Sequence, residues 1–470
     1  MKTPIIDSLK ILQRKNEISF HTPGHKGKDT LIEWTKYIPN IDTTELPGMD
    51  NLHNATGIIK ESQQLAAKTF GALETIYSVN GTTGGIYIAL AAITNPGDKI
   101  LIQRDSHKSM YNASILNRLD IEYIYANYNE AHHMYTGVNP KSIELKLKED
   151  PDIKVVAITY PNYYGICSDI KKIAEIVHNY DKILLVDEAH GSHFVFSDKL
   201  PLSSLEVHAD ITIQSTHKTL PSFTQTSMIH VGTHRVNIEK LKTMSSLYQT
   251  TSPSYLFMAS LEAARAYMEG EGKGRLDRNI DIISYLTDTL QRIYGAYVFT
   301  GAEDDNTIYD KDITKILFGI KGITGTNLSR MLMEDYNIYL EMADFNYALA
   351  LASLMNEKSD FEMLIKAVEN IAKHGPNKSS SSINLHMPMS RIVLPVYEAF
   401  YSNKKAVALK ESIGRVSSSF IIPYPPGIPL ICPGEEITEE LVDYITFSLS
   451  KGIDIIGLIG DNKEKIEIIE

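Results

Sequence analysis

A lysine that follows an apolar strand and a Ser-Thr-His run is placed for carbonyl chemistry. Here it is Lys218, closing Ile213-Gln214-Ser215-Thr216-His217-Lys218. A lysine that is desolvated, or set beside another cation, has a lowered pKa and can form a Schiff base. Ser215 and His217 could bind a phosphate or orient the lysine. An earlier apolar run, Ile183-Leu184-Leu185-Val186, delivers Asp187 to its tip, followed by Glu188-Ala189-His190-Gly191. An Asp in that place can pair with a protonated pyridine nitrogen and keep the ring an electron sink.

Two further stretches belong with these. Ser78-Val79-Asn80-Gly81-Thr82-Thr83-Gly84-Gly85 lies between a strand-like and an apolar helical segment. Its small residues allow close backbone approach, and a new helix offers unpaired N–H groups and a positive dipole end. Gly81, Thr82 and Thr83 thus form a phosphate cradle. It is not a Walker loop, because no Gly-Lys-Ser/Thr follows. Gln103-Arg104-Asp105-Ser106-His107-Lys108 offers an imidazole, His107, that could stack on a ring and move a proton. Each stretch has a plainer reading: a capped turn, a metal ligand or helix cap, a solvated lysine, a structural histidine. Their joint order, phosphate loop, stacking His, strand-end Asp, lysine, suits a pyridoxal-5′-phosphate (PLP) enzyme of the aspartate-aminotransferase-like fold.

The elements that must position them follow from periodicity. The first 60 residues read as a helix near Ile5 to Lys15, then irregular chain. Beyond them, strands are predicted at 75–79, 99–103, 121–125, 155–159, 182–186 and 211–214. Helices are predicted at 61–70, 84–94, 142–148, 169–178, 260–267 and 281–294. Short apolar strands alternating with helices indicate an α/β fold with a mostly parallel sheet covered on both faces. We expect an N-terminal segment (1–60) contributing to a dimer and the active site, and a large cofactor-binding domain (61–315). A connecting α/β region with a KSSSS linker at 378–382 (316–384) and a smaller α+β C-terminal domain (385–470) follow. The segment 453–459 reads as a buried strand.

The 470 residues are 43% hydrophobic and 22% charged, enough for a large core. A formal net charge of -12 argues against attraction to nucleic acid or anionic lipid. Two cysteines, Cys167 and Cys432, imply no disulfide framework. Residues 1–26 lack a signal-peptide apolar region, and no run reaches transmembrane length. A cytoplasmic enzyme that needs no metal is expected.

Longer stretches are more specific. They are HTPGHK at 21–26, DTTELPGMDNL at 42–52, NGTTGG at 80–85, DSHKS at 105–109, DEAHGSHF at 187–194, QSTHKTL at 214–220, TQTSM at 224–228, TSPSYLFMASLEAAR at 251–265 and IIPYPPGIPLICPGE at 421–435. Through them nearly the whole chain resembles the Orn/Lys/Arg decarboxylase family, and most the short biosynthetic arginine decarboxylases without an N-terminal wing domain. The resemblance implies PLP on Lys218, Asp187 on the pyridine nitrogen and His107 stacked on the ring. It implies Thr82, Thr83, Ser215 and His217 at the phosphate, and His190 beside the cofactor. Ser252 would reach the phosphate of a neighbouring subunit, since the family builds its sites at a dimer interface.

The expected reaction is decarboxylation of a basic amino acid, with arginine to agmatine preferred over lysine or ornithine. Lys218, His107 and His217 are the catalytic candidates, with Lys218 or His217 donating the proton at Cα. Asp42, Glu45 and Asp50 are candidate acceptors for the distal cation, and helix capping or pairing with Arg104 or His25 is the plainer role for these three; Glu435 and Ser417 to Ser419 are further possibilities. The family often reads Pro-Thr-Tyr-Asp-Gly where this chain has Pro161-Asn162-Tyr163-Tyr164-Gly165, which bears on fine substrate preference. An aminotransferase, with Arg391 or Arg415 as a carboxylate clamp, and a non-catalytic regulator are the rival readings.

Overall fold

The computed structural model describes residues 18–28, 36, 38, 41–301, 304–374, 386–424 and 427–470. The expected helix at 5–15 and the linker at 378–382 lie outside these. Runs such as KILIQ, IKVVAIT, ILLVD and ITIQ are almost wholly buried, which is why they lie inside a sheet covered on both faces. That sheet has seven strands: β1 (Glu74–Ser78), β2 (Lys99–Gln103), β3 (Asp120–Ile124), β4 (Ile153–Thr159), β5 (Ile183–Asp187), β6 (Ile211–Gln214) and β7 (Ser227–Val231). Their spatial order is β1-β7-β6-β5-β4-β2-β3. Neighbours are parallel except at β7, which runs antiparallel to both β6 and β1.

Register carries the strand ends to one edge. Thr159 pairs with Asp187, Asp187 with Ile213, and Ser227 with Ser78. Chain segments leaving β1, β2, β4, β5 and β6 therefore meet at a single rim, where ligands collect in such sheets. Two apolar layers flank the sheet. One holds Leu101, Val156, Val186 and Phe70; the other holds Ile100, Val155, Ile213 and the helix Gly81–Ile93.

Two smaller units follow. Strands β8 (Ala296–Phe299), β9 (Lys315–Ile320), β10 (Met342–Ala343) and β11 (Ala348–Leu351) form an antiparallel sheet in the order β8-β9-β11-β10. The amphipathic helices Lys273–Arg292 and Lys358–His374 share its core. The last unit packs the helix Glu439–Ser450 on two strand pairs, 404–408 with 465–469 and 422–424 with 454–456.

Most expected elements form within a few residues of their predicted bounds. Three differences matter. The strand β7 was not predicted. The helix expected from Gly84 begins at Gly81, because Gly84 N–H already bonds Asn80 O at 3.1 Å. The segment expected as a buried strand at 453–459 is strand only at Asp454–Ile456, and Asp454 and Ile456 are exposed because alternate side chains point to its uncovered face. Among the described residues no helix is long and apolar enough to cross a membrane.

Candidate active site

The strand ends enclose a cavity of about 550 Å³, bordered by Gly81, Thr82, His107, Asp187, His190 and Lys218. Thr83, Ser215 and His217 also line it. Ten of the sequence-derived site residues were offered as cofactor-binding or catalytic, and all but Ser252 converge here.

Lys218 sits in the short helix Thr216–Thr219 that begins where β6 ends. Its Nζ lies 2.9 Å from His190 Nε2 and 5.9 Å from the Tyr163 ring centre. Burial lowers its pKa, while Asp187 and Glu341 act the other way. A desolvated amine of this kind spends more of its time unprotonated and nucleophilic.

Asp187 ends β5 and is 4% exposed. Its Oδ1 accepts the Ala189 N–H at 3.2 Å. Burial raises its pKa, opposed by Lys218 and that N–H. A carboxylate with so little compensation favours a protonated nitrogen as a partner.

The helix Gly81–Ile93 presents its first turn to the cavity. Gly81, at φ +65°, directs its N–H to Gln225 O at 2.9 Å. With Asn80 N–H turned to Ser78 Oγ at 3.4 Å, the Thr82 and Thr83 N–H groups remain from the four that a helix start leaves unpaired. Thr82 Oγ1 and Ser215 Oγ are in contact, so two hydroxyls converge on the same point. These donors, the acidic Asp187 and the amine of Lys218 match a phosphate, a pyridine nitrogen and an aldehyde carbon. The donor set therefore fits PLP, with the orphaned Nδ1 of buried His190 as a further polar group at the wall.

The histidines are neutral. His217 is half-buried, with Nδ1 2.8 Å from Thr226 O; a neutral ring then carries its hydrogen on Nδ1 and leaves Nε2 bare. Burial, assisted by Lys218, brings its pKa down to about 4. His107 caps the helix Lys108–Leu116, with Nδ1 accepting the Ser109 N–H at 3.2 Å. Its ring stays open to the cavity, yet desolvation and the Lys218 and Lys108 charges lower its pKa to about 4. His190 is pushed well below the ordinary value by burial and by Lys218, and packs on Tyr163 at 5.0 Å.

The proposed acidic acceptors go elsewhere. Among the described residues, none of Asp42, Glu45, Asp50 and Glu435 borders the cavity. Asp42 is exposed, and Glu45 takes the Thr44 hydroxyl. Asp50 is buried and accepts five backbone N–H groups, from Asn51, Thr56, Gly57, Ile59 and Lys60. It organises the start of the helix Ile58–Phe70 instead of facing a ligand. Glu435 is held by Arg104 at 3.0 Å and by Cys432 N–H at 2.8 Å. Ser252 is exposed, in contact with Thr250 and off the cavity.

Sequence reasoning passed over three residues of the site. Tyr163 packs against His190 and Lys218 from the loop after β4. Lys315, from the second sheet, is 1% exposed and donates to Asn162 O and Tyr163 O, each at 3.2 Å. Asp105 stands beside His107 on the cavity wall. The unusual Pro-Asn-Tyr-Tyr-Gly run was the one signal that pointed at Tyr163.

Comparison with known proteins agrees with this geometry. The model for the Orn/Lys/Arg decarboxylase major domain matches residues 3–317, and that for the Orn/Lys/Arg decarboxylase C-terminal domain matches 389–454. The chain is 34% identical to an arginine decarboxylase of Bacillus subtilis, over 100% of this chain and 98% of that one. It is equally 34% identical to an arginine decarboxylase of Halalkalibacterium halodurans, again over 100% and 98%. The constitutive lysine decarboxylase of E. coli shares the fold, with a TM-score of 0.79 at 20% identity, covering 100% of this chain and 82% of that structure. A lysine behind a strand, an acid at a strand tip and a phosphate cradle, joined by a match over nearly the full length, make the chain a member of the Orn/Lys/Arg decarboxylase family.

Proposed function

We propose that this enzyme uses PLP to decarboxylate L-arginine, giving agmatine and CO2. The observation that carries the reading is the convergence of Lys218, Asp187 and the first turn at Thr82 and Thr83 on one cavity. The preference for arginine rests on the full-length relatives that carry that name.

Bound PLP supplies an electron sink for the charge left when CO2 departs. Lys218 would hold it covalently, and Asp187 would stay ionised against its ring nitrogen. Thr82, Thr83 and Ser215 would grip its phosphate, while His107 would cover one ring face. Tyr163 and His190 pack beside Lys218 and help desolvate its amine. The cavity offers two nearby groups to protonate Cα, Lys218 Nζ and His217 Nε2. The bare Nε2 of a neutral His217 ring favours Lys218 as the donor.

Ser252 faces outward, so we read it as a residue for the phosphate site of a second copy in a homodimer. Both cysteines are buried and free, which fits a cytoplasmic enzyme.

The test supplies PLP-loaded protein with L-arginine, L-lysine and L-ornithine in turn, and measures CO2 and the amine formed. Agmatine as the main product supports the reading. Cadaverine or putrescine keeps the reaction and changes the substrate. A keto acid without CO2 replaces it with transamination.

A further inference from the structure

A basic substrate needs an acceptor for its far cation, and the acids chosen from the sequence do not face the cavity. Four carboxylates border it among the described residues: Asp105, Asp187, Asp344 and Asp454. Three are already committed. Asp187 stands at the tip of β5 and suits the ring nitrogen. Asp344 accepts the Tyr164 hydroxyl at 2.8 Å and the Asn346 and Tyr347 N–H groups at 2.7 Å each. Asp454 is exposed and paired with Lys463.

Asp105 differs. Its Oδ1 is enclosed and has no hydrogen-bond donor. The neighbouring cation, Arg104, points away: its guanidinium is taken up by Glu435, Pro429 O at 2.6 Å and Leu430 O at 3.0 Å. Burial raises the Asp105 pKa, with Gln103 and its own N–H giving partial relief and Arg104 the least. A carboxylate so desolvated gains most from a cation brought to it. The adjoining wall is largely aromatic and apolar, formed by Tyr128, Tyr135 and Met387. Such a wall accommodates the methylene stem of a long basic side chain.

We infer that Asp105 is the carboxylate that receives the distal cation of the substrate. The assignment rests on reading the cavity as the site of a basic amino acid. It makes Asp105, adjacent in sequence to the turn that carries His107, the specificity-determining residue: one short segment covers the cofactor ring and reads the side chain.

The test titrates agmatine, a guanidinium cation without the reacting carboxylate, into PLP-loaded wild type, Asp105→Asn and Asp105→Glu by calorimetry. Cofactor absorbance and thermal unfolding confirm that each variant is folded and loaded. Asp105→Asn is expected to weaken agmatine by about 30-fold or more, the low end for removing one partner of a buried charge pair, and Asp105→Glu to recover part of it. In turnover, Asp105→Asn should raise KM for arginine far more than it lowers kcat. Equal agmatine affinity in wild type and Asp105→Asn, or no binding by either, overturns the assignment. If wild type binds agmatine but releases no CO2 from any basic amino acid, the decarboxylation reading fails, and the Asn and Glu titrations still decide the role of Asp105.

Discussion

Arg104 and Glu435 are 331 positions apart in the chain and meet at 3.0 Å, with side chains 9% and 1% exposed. The pair ties the turn after β2 to the C-terminal unit. The Arg104 guanidinium also lies 5.2 Å from the centre of the Tyr123 ring. Removing one partner leaves a buried charge alone, at a cost of about 3–5 kcal/mol. Glu435→Gln should therefore lower the denaturant midpoint sharply, while joint replacement by Arg104→Met and Glu435→Leu should restore much of the loss. Urea unfolding curves of the three proteins check this.

Lys218→Ala should abolish both CO2 release and the absorbance of covalently held cofactor. Asp187→Asn should keep the cofactor, since the phosphate cradle is untouched. It should lower kcat by about 10²–10³-fold, as expected for loss of one charge-stabilising group. Absorbance spectra and steady-state rates separate the two effects. Full activity in Asp187→Asn would remove the carboxylate from the electron-sink role.

The cradle is sterically tight. A Cβ at Gly84 would stand 2.6 Å from Asn80 Cβ and 3.4 Å from Ser78 Oγ. Gly84→Ala must displace Asn80, with overpacking of about 1–3 kcal/mol. Because Asn80 opens the helix whose first turn would hold the phosphate, the PLP dissociation constant should rise by about tenfold. Equilibrium titration of apoprotein with PLP measures it.

His230 supplies a pH dependence. It is fully buried, bonded through Nδ1 to Thr75 Oγ1 at 2.8 Å and packed on Phe70, and burial lowers its pKa from 6.5 to about 3. The unfolded chain binds a proton that the folded chain refuses, so this contribution is complete above pH 6.5 and is lost as pH falls towards 3. His230→Gln should flatten that acid limb relative to wild type. Denaturant midpoints between these limits provide the comparison.

Much of this arrangement was legible from residue order. An apolar strand running into Asp187, and another into Ser215 and Lys218, place both groups at one rim wherever the sheet is parallel. The strand β7 was not legible, because Ser-Met-Ile-His-Val is apolar at only three positions and its Ser and His are buried by neighbouring strands. The acids at 42, 45, 50 and 435 were chosen by charge and by their place in the family's motifs, with helix capping the plainer role for the first three. Charge does not reveal that the Asp50 carboxylate would be consumed by backbone N–H groups, or Glu435 by an arginine far away in sequence. Asp105 went unnoticed for the converse reason: its proposed importance comes from the donor that one of its oxygens lacks, and a missing partner has no signature in the chain.

The position of β7 also bears on how the protein is made. Among the described strands β1, which leads into the helix at Gly81, bonds to the sheet through β7 alone, and β7 lies about 150 residues downstream. On the ribosome, the first strand must wait at the edge until residue 231 has emerged. Lys218 is translated within that same interval. The nascent chain thus completes the turn at Gly81 and the rim that carries Lys218 almost together, so the proposed cofactor site closes late in synthesis.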